Sequence, residues 1–230
     1  MRILEVCAGS IESIKAAYEG GAQRVELCSA LSEDGLTPSV GMIACAKRCE
    51  GLKVHVLIRP RSGDFVYTKD EVQCMVEDIQ ICKEMGVDGV VIGALTTSGE
   101  IDLTVCKQLV EAARGIPNIT FHRAFDVCQK PFLALEQIIS LGCNRILTSG
   151  QAKTAEQGIP MLRQLVEKAS GRISILAGAG VNPANAAKVL DETGAMEIHA
   201  SARSIRVLGR LETDKEIVKE ICLAINKAKE

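Results

Sequence analysis

Thiol, carboxylate, imidazole and guanidinium groups recur in this sequence at the ends of short β-type runs. The first run closes on Glu5 and Cys7, and the next on Glu26 and Cys28, so each cysteine follows a glutamate by two residues. Residues two apart on a strand share a face, which sets each thiol beside a carboxylate. Thiolates are soft donors that suit a soft ion such as Cu(I). Arg59 and Arg61 stand in Arg59-Pro-Arg-Ser-Gly-Asp-Phe65, and guanidinium pairs grip carboxylate or phosphate groups bidentately. His122 and Asp126, in His122-Arg-Ala-Phe-Asp126, have the types of an oriented acid–base pair. Gly178 and Gly180, in Ala177-Gly-Ala-Gly-Val-Asn-Pro183, together with Ser201, would bring backbone N–H groups close to a phosphate. Each group taken alone has a bland explanation in a turn or a core ion pair. Their joint placement at strand ends points to a site.

A repeated unit sets these strand ends in space. Four times a glycine is followed by an apolar residue, two variable residues and a β-type run, at Gly21-Ala-Gln-Arg-Val25, Gly86-Val-Asp-Gly-Val90, Gly142-Cys-Asn-Arg-Ile146 and Gly194-Ala-Met-Glu-Ile198. A glycine just past a helix end is a common left-handed cap. The copies lie 65, 56 and 52 residues apart, a spacing that suits two βα units each. Four further runs fall between them, at Ile3–Cys7, Lys53–Arg59, Asn118–His122 and Ile173–Ala177. Helix starts are predicted at Thr37-Pro38, Asn182-Pro183, Thr68…Glu71 and Thr213…Glu216. Strict alternation predicts a parallel sheet, and the internal repeat favours closure into a (β/α)8 TIM barrel of eight parallel strands, as a single domain over residues 1–230. In that fold, polar residues at the C-terminal ends of several strands mark the working face.

The repeat also predicts which side chains enter the barrel. Val25, Val90, Ile146 and Ile198 align, as do Leu27, Ile92, Thr148 and Ala200, and this mostly apolar parity suits the face under the helices. The opposite parity gives a lower set of Arg24, Gly89, Arg145 and Glu197, a middle set of Glu26, Val91, Leu147 and His199, and a mouth set of Cys28, Gly93, Ser149 and Ser201. Arg and Glu in one buried layer read as a structural ion pair. Glu26 and His199 read equally as a structural network or as working groups.

Composition narrows the classes of partner. Lys and Arg number 27 against 29 Asp and Glu, and aromatic residues make up 3% with no Trp. Neither a basic footprint nor base-stacking platforms are present, so no nucleic-acid partner is expected. Glu5 interrupts any signal-peptide core and no apolar stretch is long enough to span a bilayer. No membrane association and a cytoplasmic location are expected. The ten cysteines form no C-x-x-C pair, and most read as reduced core residues. Exposed helix faces leave a homo-oligomer open.

Taken together, Leu4-Glu-Val-Cys7, Gly21-Ala-Gln-Arg-Val-Glu-Leu-Cys28, Gly35-Leu-Thr-Pro-Ser39, Ile58-Arg-Pro-Arg61 with Gly63-Asp-Phe65, Thr120-Phe-His-Arg-Ala-Phe-Asp126, Leu147-Thr-Ser-Gly-Gln151 and Ala177-Gly-Ala-Gly-Val181 closely resemble the CutC family. The resemblance implies a cytoplasmic (β/α)8 barrel concerned with copper homeostasis. It implies Cu(I) as the bound ion and the strand-end cysteines Cys7 and Cys28 as its ligands. Their sulfurs would need to lie roughly 4–5 Å apart across a two-coordinate ion. A third ligand is not expected, because Ser201 is a hard donor and His199 should lie a layer deeper. The alternative is a TIM-barrel enzyme acting on a small phosphorylated or carboxylated metabolite. There Arg59 and Arg61 would hold the anion, Glu26, His122 and Asp126 would move protons, and Gly178, Gly180 and Ser201 would bind phosphate.

Overall fold

At three of the four repeat glycines the left-handed backbone ends a helix, with φ of 89° at Gly21, 87° at Gly142 and 77° at Gly194. Each time the chain then turns straight into a strand. The computed structural model describes residues 2–205 and 210–227. Its strands are β1 (Ile3–Ala8), β2 (Arg24–Leu27), β3 (Lys53–Leu57), β4 (Gly89–Ile92), β5 (Ile119–Phe121), β6 (Arg145–Thr148), β7 (Ser174–Gly178) and β8 (Glu197–Ala200). They pair in parallel, each with the next and β8 with β1, to close the predicted eight-stranded barrel. The outer helices are α1 (Ile11–Gly20), α2 (Val40–Ala46), α3 (Lys69–Glu84), α4 (Leu103–Ala112), α5 (Pro131–Leu141), α6 (Ile159–Ala169), α7 (Ala186–Thr193) and α8 (Lys215–Asn226). No described helix is long and apolar enough to cross a membrane.

The interior parity is as the repeat predicts. Val25, Leu27, Val90, Ile92, Ile146 and Ile198 belong to the large core between strands and helices. Cys7, Cys28, Leu57 and Val91 form a separate apolar cluster inside the barrel. Below that cluster, Arg24 of β2 bonds Glu5 of β1 and Glu197 of β8. Arg145 of β6 reaches the same Glu197 at 2.5 Å, a contact that non-adjacent strands make only across the interior. Ser174 donates to Glu197 at 2.7 Å. Arg24 and Glu5 are 5% and 0% exposed, so this layer is a buried ion network, tolerable because opposite charges face each other. Burial raises the Glu5 carboxyl, but Arg24 and the nearby histidines overcome it and hold the group at about 2.

All three histidines of the chain point inward, and each ring lies against a glycine on a neighbouring strand. A Cβ on Gly89 would come within 2.6 Å of the His55 ring, and one on Gly93 within 2.5 Å of the His122 ring. At Gly178 it would meet Leu147 at 2.6 Å and the His199 Cβ at 3.2 Å. The missing side chain on one strand makes room for the imidazole of the next.

Three predicted helix starts shift. Ser39, not Thr37, caps α2, accepting from the Met42 N–H, while Thr37 bonds the Arg59 backbone. Asn182 caps a single turn before α7, accepting from the Ala184 N–H. Asp214, not Thr213, caps α8. The Thr68–Glu71 capping box of α3 is present as predicted. After β8 a short antiparallel pair, β9 (Arg203–Ile205) with β10 (Leu211–Thr213), intervenes before α8. Glu212 of that pair accepts from Ser13 of α1 and from Ser10, the residue that caps it, tying the extra hairpin to the first helix.

Candidate functional site

The C-terminal mouth of the barrel holds a cavity of about 420 Å³. Cys7, Glu26, His122, His199 and Ser201 are among its lining residues. Three consecutive strands around the barrel supply its floor. Cys7 comes from β1, Glu26 from β2 and His199 from β8, while Cys28, just past the end of β2, is fully buried beside Cys7.

Register explains how they converge. Cys7 is level with Glu26 on β2, so Cys28 stands two residues above it. Glu5 is level with His199 on β8. The resulting stagger brings Cys7 Sγ to 3.6 Å from Cys28 Sγ. His199 Nε2 lies 3.0 Å from Glu26 Oε2. The Cys7 sulfur, a Glu26 oxygen and a His199 nitrogen all lie within 4.8 Å of one another. The expectation that His199 sits too deep to reach the sulfurs is therefore wrong. From a backbone position level with Glu5, the His199 imidazole reaches the Cys7 thiol.

These groups perturb one another. The hydrogen bond with Cys28, reinforced by burial, pushes the Cys7 thiol well above its ordinary range. Burial would lower the His199 imidazolium, but its contacts with Cys7 and Glu26 outweigh that and hold it well above the usual histidine range.

The other sequence-predicted residues divide. His122 lines the cavity, but Asp126 is not its partner. His122 Nδ1 accepts from the Ala124 N–H at 3.1 Å, which leaves the proton on Nε2, and that atom is buried without a hydrogen bond. Burial, helped by the Arg59 charge, pushes this imidazole down to about 3, so it is neutral. Asp126 lies at the cavity edge and accepts instead from Thr148 Oγ1 at 2.5 Å, from the Ser149 N–H at 3.0 Å and from Arg123 Nε at 2.7 Å. It joins the loop after β5 to the end of β6. Arg59 lines the cavity but donates to the carbonyls of Glu33 (2.8 Å), Gly35 (2.9 Å) and Gly63 (2.8 Å). It clamps the loops after β2 and β3, with the Phe65 ring 5.1 Å from its Cζ. Arg61 is not among the cavity residues and pairs at the surface with Asp64 (2.9 Å) and Glu71 (2.6 Å). Gly180 and Ser201 line the cavity, whereas Gly178 lies within β7 under the His199 ring. Arg123 and Arg203 also line it. The sequence reading missed both, although each follows a strand end by only a few residues.

Comparisons with known proteins agree with this architecture. The CutC family profile matches residues 2–204. A CutC family protein of Bacteroides fragilis is 56% identical over 202 residues, covering 87% of this chain and 80% of its own length. One from Parabacteroides distasonis is 52% identical, covering 94% and 89%. The crystal structure of a protein from Streptococcus agalactiae, named there as a copper homeostasis protein CutC, superposes with a TM-score of 0.84 at 36% identity, covering 87% of this chain and 99% of that one.

Proposed function

The chain belongs to the CutC family, and from that premise we propose that it binds Cu(I) at the barrel mouth through Cys7 and Cys28. The observation that carries this reading is the 3.6 Å contact between the two buried sulfurs. Cu(I) favours soft thiolate donors. With metal–sulfur bonds near ~2.3 Å, two sulfurs of a trigonal ion lie roughly 4 Å apart. A small rotation of either side chain opens the pair to that separation. A trigonal ion also accepts a third donor, and His199 Nε2 is within reach. Binding displaces the proton from a thiol whose pKa is raised, so affinity rises with pH. The name of the streptococcal neighbour points to the same ion.

The test is anaerobic Cu(I) titration against a competing chelator. The wild type is expected to take one ion per chain, and Cys7→Ser, Cys28→Ser and the double variant to lose it. Undiminished uptake by the double variant would overturn the reading.

A second reading rests on the size of the cavity, which exceeds what one ion needs and falls within the range of small-molecule sites. A carboxylate or phosphate would accept from His122 Nε2, with Gly180 and Ser201 beside it. Phosphate soaked into crystals should then lie against His122, and an empty mouth would count against this reading.

A further inference from the structure

Glu26 has no part in holding a soft ion, yet it stands on the floor with its carboxylate 3.0 Å from the imidazole that faces Cys7. Carboxylate oxygens are hard donors and poor ligands for Cu(I). The set Cys7, Glu26 and His199 therefore has a chemistry of its own, with one sulfur, one nitrogen and one oxygen. We infer that these three side chains form a site for a divalent, borderline ion of the Zn(II) class, which overlaps the copper site at Cys7 and His199 but takes Glu26 in place of Cys28.

Three observations support it. First, the geometry is close to what the ion needs. Around a tetrahedral ion with bonds of about 2.0–2.3 Å, donor atoms lie roughly 3.3–3.6 Å apart. The His199–Glu26 pair at 3.0 Å must open slightly, and the remaining separations, none above 4.8 Å, must close by at most roughly 1.5 Å. Second, the charges match. A thiolate, a carboxylate and a neutral imidazole carry two negative charges, which a divalent ion cancels, so no net charge is buried. Third, all three residues line the cavity, so a fourth position faces open space. Three protein ligands with one open position is the arrangement of exchangeable, working zinc sites rather than closed structural ones. Glu5 Oε1, buried without a hydrogen bond, lies 4.0 Å from the His199 Nε2.

This inference does not depend on copper binding, because Glu26 belongs to this site alone and Cys28 to the copper site alone. Cobalt(II) chloride serves as the spectroscopic stand-in for zinc. Wild-type protein is expected to bind one Co(II) with intense tetrahedral ligand-field bands and a single-sulfur charge-transfer band. Cys28→Ser should keep both features while losing Cu(I). Glu26→Gln should weaken Co(II) at least tenfold while keeping Cu(I), and that retained copper also reports an intact fold. Weak octahedral bands, or Co(II) affinity unchanged in Glu26→Gln, would overturn the proposal. X-ray absorption of zinc-loaded wild-type protein needs no variant. One sulfur per zinc is expected, and two sulfurs would assign the zinc to the thiol pair and end the proposal.

Discussion

The barrel interior holds two polar layers that differ in how they are completed. In the lower one, Glu5, Arg24, Arg145 and Glu197 close on one another. Each charge faces its opposite within the ring. In the upper one, the Cys7 thiol, a carboxylate and two imidazoles face open space, with the buried Cys28 thiol in contact with Cys7. Both layers are buried and both are costly to assemble. The difference teaches that burial of polar groups does not by itself mark a site. What marks the mouth is that its donors point at room for something else, while the lower layer is already its own ligand.

The sharpest way to break this comparison is to unbalance the lower ring. Arg24→Met leaves Glu5 and Glu197 facing each other with one guanidinium fewer. Removing one partner of a buried pair costs about 3–5 kcal/mol, read as a lowered urea midpoint. A loss under about 1 kcal/mol would show that the ring is not a structural unit.

A smaller effect comes from acid. Burial pushes the His55 imidazole down from 6.5 to about 4. Its folded pKa lies below its unfolded one, so the unfolded chain takes up the proton first and stability falls as pH drops from 6.5 towards 4. At about 1.4 kcal/mol per unit, the loss from this residue is roughly 3 kcal/mol. His55→Gln should flatten that part of a pH–stability curve measured by thermal unfolding. The Glu5 carboxyl, lowered to about 2, adds a separate loss as pH falls below 4.5. An unchanged slope in His55→Gln would assign the acid limb elsewhere.

The smallest effect is expected at Arg61. Its partners Asp64 and Glu71 are at the surface and it lies off the cavity. Arg61→Ala should leave both the urea midpoint and metal uptake unchanged within error, since exposed pairs contribute little. Lost metal uptake would move the boundary of the site outward to the loop after β3.

The barrel was legible because its signal is periodic. Four glycine-led repeats and an alternating parity separate Val25 and Ile198 from Arg24 and Glu197 without any knowledge of contacts. The Cys7–Cys28 pair was legible from strand ends and from the resemblance. The reach of His199 was not, because it depends on the stagger between β8 and β1, which periodicity along one strand does not encode. A layer count that included barrel shear would have found it. Asp126 was misread for a different reason. Four residues from His122, it has the spacing of a partner, but the short helical turn Arg123–Val127 swings it towards Thr148. Thr37 and Thr213 have the right chemistry for caps, yet Ser39 and Asp214 lie one or two residues closer to their helices and take the role. Local chemistry proposes such partners, and only tertiary geometry chooses among them.

The pairing of two imidazoles with glycines has an evolutionary consequence. His55 with Gly89 and His122 with Gly93 each divide a fixed volume between two strands. A side chain cannot be added at the glycine while the ring stays, and losing the ring opens a void that a larger neighbour would fill. Within each pair, then, drift at one position is conditional on the other. Across relatives the two positions should change together or not at all, and a histidine gained on any other strand should be accompanied by a new glycine beside it.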